Sequence, residues 1–325
     1  MKKYFHRAFL AIPLLVFFSA CKKDAKNETT TTNPPQPPPV AVITIDSVKL
    51  QSQKVTTPIA PKNPGNYSVW FAMAGNKIYY ANPSNTANPQ FMLAYDISSN
   101  TFSERKTDPN VCACGYESQI VSDGQNLFYI ANDATKYNAS ADTWSAINYP
   151  ATAKDNNGEA GVLYYNSKIY FIGGRTATTK FKYFDISSSG WYNVADYLYS
   201  TTASQLAAAD NKIFALGGQG IETKFSYFTA EGNWQALPDL PFEMQGYYDT
   251  KLITSFQNRF ILALAANKIY IYDAVENKWK KDPVELTMND NNLNIFSDNI
   301  NVYIAGKSSS NDFSLHKIVL TNLPS

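Results

Sequence analysis

The stretch KIYFIGGRTATTKFKYFDISSSGWYNV, residues 168–194, decides how the rest of the chain is read. It holds an apolar run stopped by Gly173-Gly174, a polar turn, and a second alternating run ending at Asp185. A tight turn then leads to a third run opened by Trp191. Alternation of apolar and polar residues between Gly, Ser and Asp clusters is the mark of short strands joined by turns. Nearly the same string, KIFALGGQGIETKFSYFTAEGNWQA, returns at residues 212–236.

Weaker copies lie on both sides. The apolar positions Ile78, Leu127, Ile169, Ile213, Phe260 and Val302 recur at intervals of 49, 42, 44, 47 and 42 residues. Later in each unit an aromatic returns, at Phe102, Trp144, Trp191, Trp234 and Trp279. Six residues earlier stand Asp96, Asn138, Asp185, Phe228 and Asp273, and just before them Tyr95, Tyr137, Phe184, Tyr227 and Tyr272. Gly75-Asn76, Asp123-Gly124, Asn166-Ser167 and Asp210-Asn211 mark the first hairpin turns of their units. A period of this length with four short strands predicts a propeller blade, and six units predict an all-β, six-bladed β-propeller over residues 40–325. The sixth unit ends without its fourth strand. The run Val40–Val55, alternating and without a partner of its own, is expected to supply it and close the ring.

Within this frame the repeated residues have structural tasks. The tryptophans are expected between neighbouring blades. The Gly pairs are expected where strands approach closely at positive φ. Asp96, Asp185 and Asp273 are expected to bond the backbone of the turns that follow them.

These same residues carry a family resemblance. The apolar strand ending in Gly-Gly, the aromatic-Asp pair and the Trp six residues on resemble kelch repeats, of the kind that build galactose-oxidase-like central propellers. Units three and four match well, and units one, two, five and six lack the Gly-Gly pair. The resemblance implies a β-propeller. Copper sites on such propellers use two His and two Tyr. With His6 in the leader, only His316 remains, so no metal or cofactor is expected.

The N-terminus reads as an address. Lys2, Lys3 and Arg7 precede an apolar run, Ala8–Phe18, which ends at Ser19-Ala20-Cys21. A basic start, a short apolar core and small residues make a secretory signal too short to span a bilayer. Cys after Ser-Ala resembles a bacterial lipobox, with Phe18 where that pattern usually has Leu. The resemblance implies a signal peptide over residues 1–20, lipidation of Cys21 with palmitate-type acylation, and an outer-membrane lipoprotein facing the periplasm or the surface. Residues 21–39, including the run NETTTTNPPQPP, read as an extended spacer at roughly 3 Å per residue.

Composition narrows the partners. The chain is 44% hydrophobic and 14% aromatic, which suits pleated, half-buried surfaces. Without the leader, 25 basic residues face 27 acidic ones, and no basic stripe is visible. Nucleic acid is therefore not an expected partner.

Few motifs carry chemistry. Cys112 and Cys114 are expected as a tight, easily reduced disulfide or as free thiols. A metal there would need further ligands, which this chain does not supply nearby. His316, alone in a predicted strand, is expected as a surface or packing residue, and no nucleophile elbow accompanies it. The loops joining second to third strands share one end of a propeller with the blade-to-blade loops. Candidates for a ligand face there are Tyr116, Glu117, Asn157, Glu159, Arg175, Gln219, Gln245, Tyr247, Asn291 and Asn292. Aromatic, amide and carboxylate groups together suit a polar sugar. The leading expectation is a binding module for a glycan or an envelope protein, with no catalytic residue assigned. Two alternatives stay open. One is a scaffold within an envelope complex. The other is a sugar-active enzyme resembling the sialic-acid epimerases among kelch-like propellers, with Glu117, Glu159 and Arg175 as its first residues.

Overall fold

The computed structural model describes residues 44–62, 69–82, 90–108, 119–130, 134–148, 158–244, 250–286, 288 and 290–324. They belong to one compact unit, Ile43–Ser325. The first described element is a short 3-10 turn, Ile45–Ser47, followed by strand β1 (Lys49–Lys54). Of the described part of the alternating run, residues 44–55, the strand takes Lys49–Lys54.

Six antiparallel sheets follow. Blade 1 is β2 (Trp70–Ala74), β3 (Lys77–Asn82), β4 (Phe91–Asp96) and β5 (Thr101–Glu104). Blade 2 is β6 (Gln119–Ser122), β7 (Asn126–Ile130), β8 (Ala134–Asn138) and β9 (Thr143–Ala146). Blade 3 is β10 (Gly161–Tyr165), β11 (Lys168–Ile172), β12 (Phe181–Asp185) and β13 (Gly190–Asn193). Blade 4 is β14 (Gln205–Ala209), β15 (Lys212–Leu216), β16 (Phe225–Phe228) and β17 (Trp234–Ala236). Blade 5 is β18 (Ile253–Phe256), β19 (Phe260–Ala265), β20 (Lys268–Asp273) and β21 (Lys278–Trp279), with β22 (Val284–Glu285) also pairing with β20. Blade 6 is β23 (Asn291–Ser297), β24 (Val302–Lys307) and β25 (Phe313–Thr321), completed by β1. The first strands of the blades pack in a closed circle, β2 to β6, β10, β14, β18, β23 and back to β2. This is a six-bladed β-propeller, its ring closed by β1, which pairs antiparallel with β25 from Lys49↔Thr321 to Lys54↔His316.

A blade cannot bury both its faces alone, and the core is accordingly divided. Among the described residues, six apolar clusters each fill one blade-to-blade interface. The fourth-strand aromatics reach back across these interfaces. Phe102 meets Phe313 of blade 6 at 5.2 Å, Trp234 meets Phe181 of blade 3 at 4.9 Å, and Trp279 meets Phe225 of blade 4 at 5.4 Å. Trp144 donates its indole N–H to Lys106 O of blade 1 at 2.7 Å.

The expected turn carboxylates are in place. Asp96, Asp185 and Asp273 each accept main-chain N–H bonds two and three residues on, between 2.9 and 3.2 Å. Those bonds hold the Asp96 carboxyl below its ordinary range, and at Asp185 the Ser187 hydroxyl adds the largest share. Blade 4 departs from the pattern. Phe228 occupies the Asp position, and it, not Tyr227, lies opposite Trp234. Without a carboxylate, the turn closes through Gly232 N to Thr229 O at 3.0 Å, and the pairing shifts by one residue.

Gly217 and Gly218 adopt φ of +55° and +120° where β15 ends. A Cβ on Gly217 would overlap Met244 O, and one on Gly218 would overlap the hydroxyls of Thr201 and Ser204. The connection between blades therefore runs directly against this pair.

Candidate functional site

Among the described residues, the end of the ring bearing the second-to-third-strand loops and the blade connections holds a small space on the axis and a larger one off it. On the axis, the six inner strands converge at Trp70, Gln119, Gly161, Gln205, Thr250-Lys251 and Asn294. They leave a cavity of only about 40 Å³, enough for one or two waters. Side-chain amides close it by bonding main chain. Gln205 Oε1 accepts from Leu252 N at 2.9 Å, and Asn294 Oδ1 accepts from Lys251 N at 2.7 Å.

Off the axis lies an open cleft of about 840 Å³, between the loop after β17, the β19–β20 turn and the start of β23. Phe242 and Tyr270 form its aromatic wall, stacked at 4.0 Å between ring centres with 30° between planes, both half-buried. Asn267, Asn291, Asn292 and Glu243 supply a polar rim, and Leu252, Leu264 and Leu293 an apolar floor. The asparagines are held by a break in the β23–β24 register between Asn291 and Asn294. Asn292 has φ of +50°, and its carbonyl accepts from Asn294 Nδ2 at 2.9 Å. Such bulges re-aim side chains at the edges of sites. Gly306 on β24 leaves room for this bulge, because a Cβ there would come within 2.8 Å of Asn291 O.

Asp290 also lines the cleft and anchors it below. Its Oδ2 accepts from Ser314 Oγ at 2.6 Å and lies 3.1 Å from His316 Nε2. His316 is buried, and desolvation lowers its pKa despite the raising effect of Asp290. The carboxylate sits between hydroxyl and imidazole, so the imidazole is not placed to take the Ser314 proton. This arrangement is not a nucleophilic triad.

The sequence candidates separate in space. Asn291 and Asn292 line the cleft. Glu159 and Gln219 meet around Thr202 on the connection from blade 3 to blade 4. Glu159 O accepts from Thr202 Oγ1 at 3.3 Å, and Gln219 N donates to Thr202 O at 3.0 Å. Burial raises the Glu159 carboxyl above its ordinary pKa. Arg175 is exposed, just past Gly174 in the loop from β11 to β12. Tyr116, Glu117, Asn157, Gln245 and Tyr247 lie outside the described residues, as do Cys21, Cys112 and Cys114. Sequence reasoning missed Phe242, Asn267, Tyr270, Asp290 and Lys251. Tyr270 shares a strand face with the recurring aromatic Tyr272, and nothing in the repeat marks Tyr270 or Phe242.

Fold and site together define a six-bladed β-propeller with a polar-aromatic cleft beside a closed axis. A solved structure described as "Structure of YjhT" matches with a TM-score of 0.60 over 82% of this chain and 99% of that one. The two are 12% identical, so the likeness is one of fold. No protein-family model matches the chain, and neither does any curated protein.

Proposed function

We propose that this propeller is a carbohydrate-binding module of the cell envelope, taking a saccharide in the cleft of blades 4 to 6. The observation that carries the reading is the contrast between the two spaces. The cleft is of ligand size and joins a stacked aromatic pair to an amide rim, while the axial cavity at the same end has room for water alone. Tyr270 and Phe242 offer an apolar face to a sugar ring, and Asn267, Asn291, Asn292 and Glu243 orient its hydroxyls. Kelch-type repeats and a lipid anchor at Cys21, set off by the proline-rich spacer, complete the proposal and place the module at the outer membrane.

A second reading, a sugar-active enzyme, is favoured by one observation: burial raises the carboxyl of Glu159 above its ordinary pKa. Titration calorimetry against neutral and acidic oligosaccharides tests the first reading, with NMR of the same sugars reporting turnover. Binding without chemical change, weakened about tenfold by Asn291→Ala or Tyr270→Ala, is the expected result. Turnover abolished by Glu159→Gln would replace the binding module with the enzyme. No heat across the panel, from a protein that melts cooperatively, would dismiss both for those sugars.

A further inference from the structure

The axis carries one charged side chain among its described lining residues, and the carbohydrate reading makes no use of it. Lys251 lies on the connection into β18. Its main chain is clamped to blade 6, donating to Asn294 Oδ1 at 2.7 Å and accepting from Ile295 N at 2.9 Å. It borders the small upper cavity and also a lower one of about 130 Å³, which reaches Ser122, Thr254 and Ser297 toward the other end of the inner strands. Its ammonium has no hydrogen-bond or ion-pair partner among the described residues, and no described carboxylate lines either cavity. Desolvation alone lowers its pKa. Lys251 is half-buried, and a cation facing a narrow axial cavity with no counter-charge beside it gains by taking one.

The lower cavity offers donors for one. Ser122 Oγ accepts from Gly124 N at 3.0 Å and Ser297 Oγ accepts from Asn299 N at 2.9 Å, which leaves both hydroxyl hydrogens to be given elsewhere. Thr254, nearly fully buried, adds a third hydroxyl to the lining. At a share of about 30 Å³ per water, the space holds a small ion and a few waters.

We propose that the lower axial cavity is a binding site for a small monovalent anion of chloride's size, held by Lys251 Nζ and the hydroxyls of Ser122, Thr254 and Ser297. The anion neutralises the ammonium and joins inner strands of blades 2, 5 and 6 across the axis. The proposal is independent of what the cleft binds.

Melting is measured in sodium chloride and in sodium gluconate at equal ionic strength, since gluconate is too bulky for the cavity. Chloride at about ten times its dissociation constant is expected to raise the melting temperature by about 2–3 °C over gluconate. Lys251→Met removes that increment. Should that variant not fold, Thr254→Val is expected to reduce it, and a bromide soak of wild-type crystals locates the ion directly by anomalous scattering. Equal melting in the two salts, an undiminished increment in the folded variants, or bromide absent from the axis overturns the proposal.

Discussion

Closure of the ring is predicted to depend on Ile45 more than on the strand that makes it. In β1 only Leu50 is half-buried, and the other five residues are exposed. Ahead of that strand, Ile45 is 0% exposed and packs with Val48 into the cluster between blades 5 and 6, against residues such as Leu264, Ile271 and Ile304. Ile45→Ala removes three buried carbons, about 2.4 kcal/mol at roughly 0.8 kcal/mol each. A residual cavity brings the loss to about 3–4 kcal/mol. Gln51→Ala, on the exposed face of the same strand, is expected to stay within about 0.5 kcal/mol of wild type. Urea melts give both values, and limited proteolysis near Lys54 reports whether β1 has left β25. If Ile45→Ala costs less than about 1 kcal/mol, or if Gln51→Ala costs as much, the ladder rather than the buried plug holds the ring, and the reasoning fails.

Gly218→Ala forces a side chain into positive φ and against Thr201 and Ser204, and is expected to cost about 2–5 kcal/mol in a thermal melt. Asp273→Ala strands Arg259, whose Nη2 lies 2.8 Å from the fully buried carboxylate, and removes two turn bonds. The expected loss is about 3–5 kcal/mol, with Asp273→Asn milder. His316 has a lowered pKa in the folded protein, so between its ordinary value of 6.5 and that lower value only the unfolded chain takes up the proton. Its contribution is complete above about pH 6.5 and is lost as pH falls through the folded value. His316→Gln is expected to flatten that part of the stability profile. Metabolic labelling with an alkyne fatty acid should mark the wild-type chain and spare Cys21→Ser.

The ring was legible because it is written six times. Apolar alternation, the Gly-Gly stops and the aromatic opposite an aromatic each report a local rule, and β-pairing turns those rules into blades without further information. The missing fourth strand of blade 6 was legible for the same reason, as a gap in the count. Blade 4 shows the limit of that logic: replacing the turn carboxylate by Phe228 shifts the pairing by one residue, and a spacing measured between conserved-looking letters cannot register it. The cleft was legible only in Asn291 and Asn292. Phe242 comes from the loop after β17, and Asn267 and Tyr270 from the β19–β20 hairpin, so their meeting depends on how blades 4 and 5 pack, not on any spacing along the chain. Lys251 is a single letter in an unrepeated connection, and its isolation is a property of the assembled axis.

The plug at Ile45 also determines how the molecule bears mechanical load. A pull on the chain preceding Thr44 would by itself unzip β1 from its Lys49↔Thr321 end, one pair at a time, the weakest way to load an antiparallel ladder. It first meets the Ile45–Ser47 turn, embedded between blades and fastened by Asp46 to Lys278 Nζ at 2.6 Å and Lys281 N at 2.7 Å. Force therefore passes into the body of blade 5 before it reaches the seam, as a knot in a thread spares the stitches behind it.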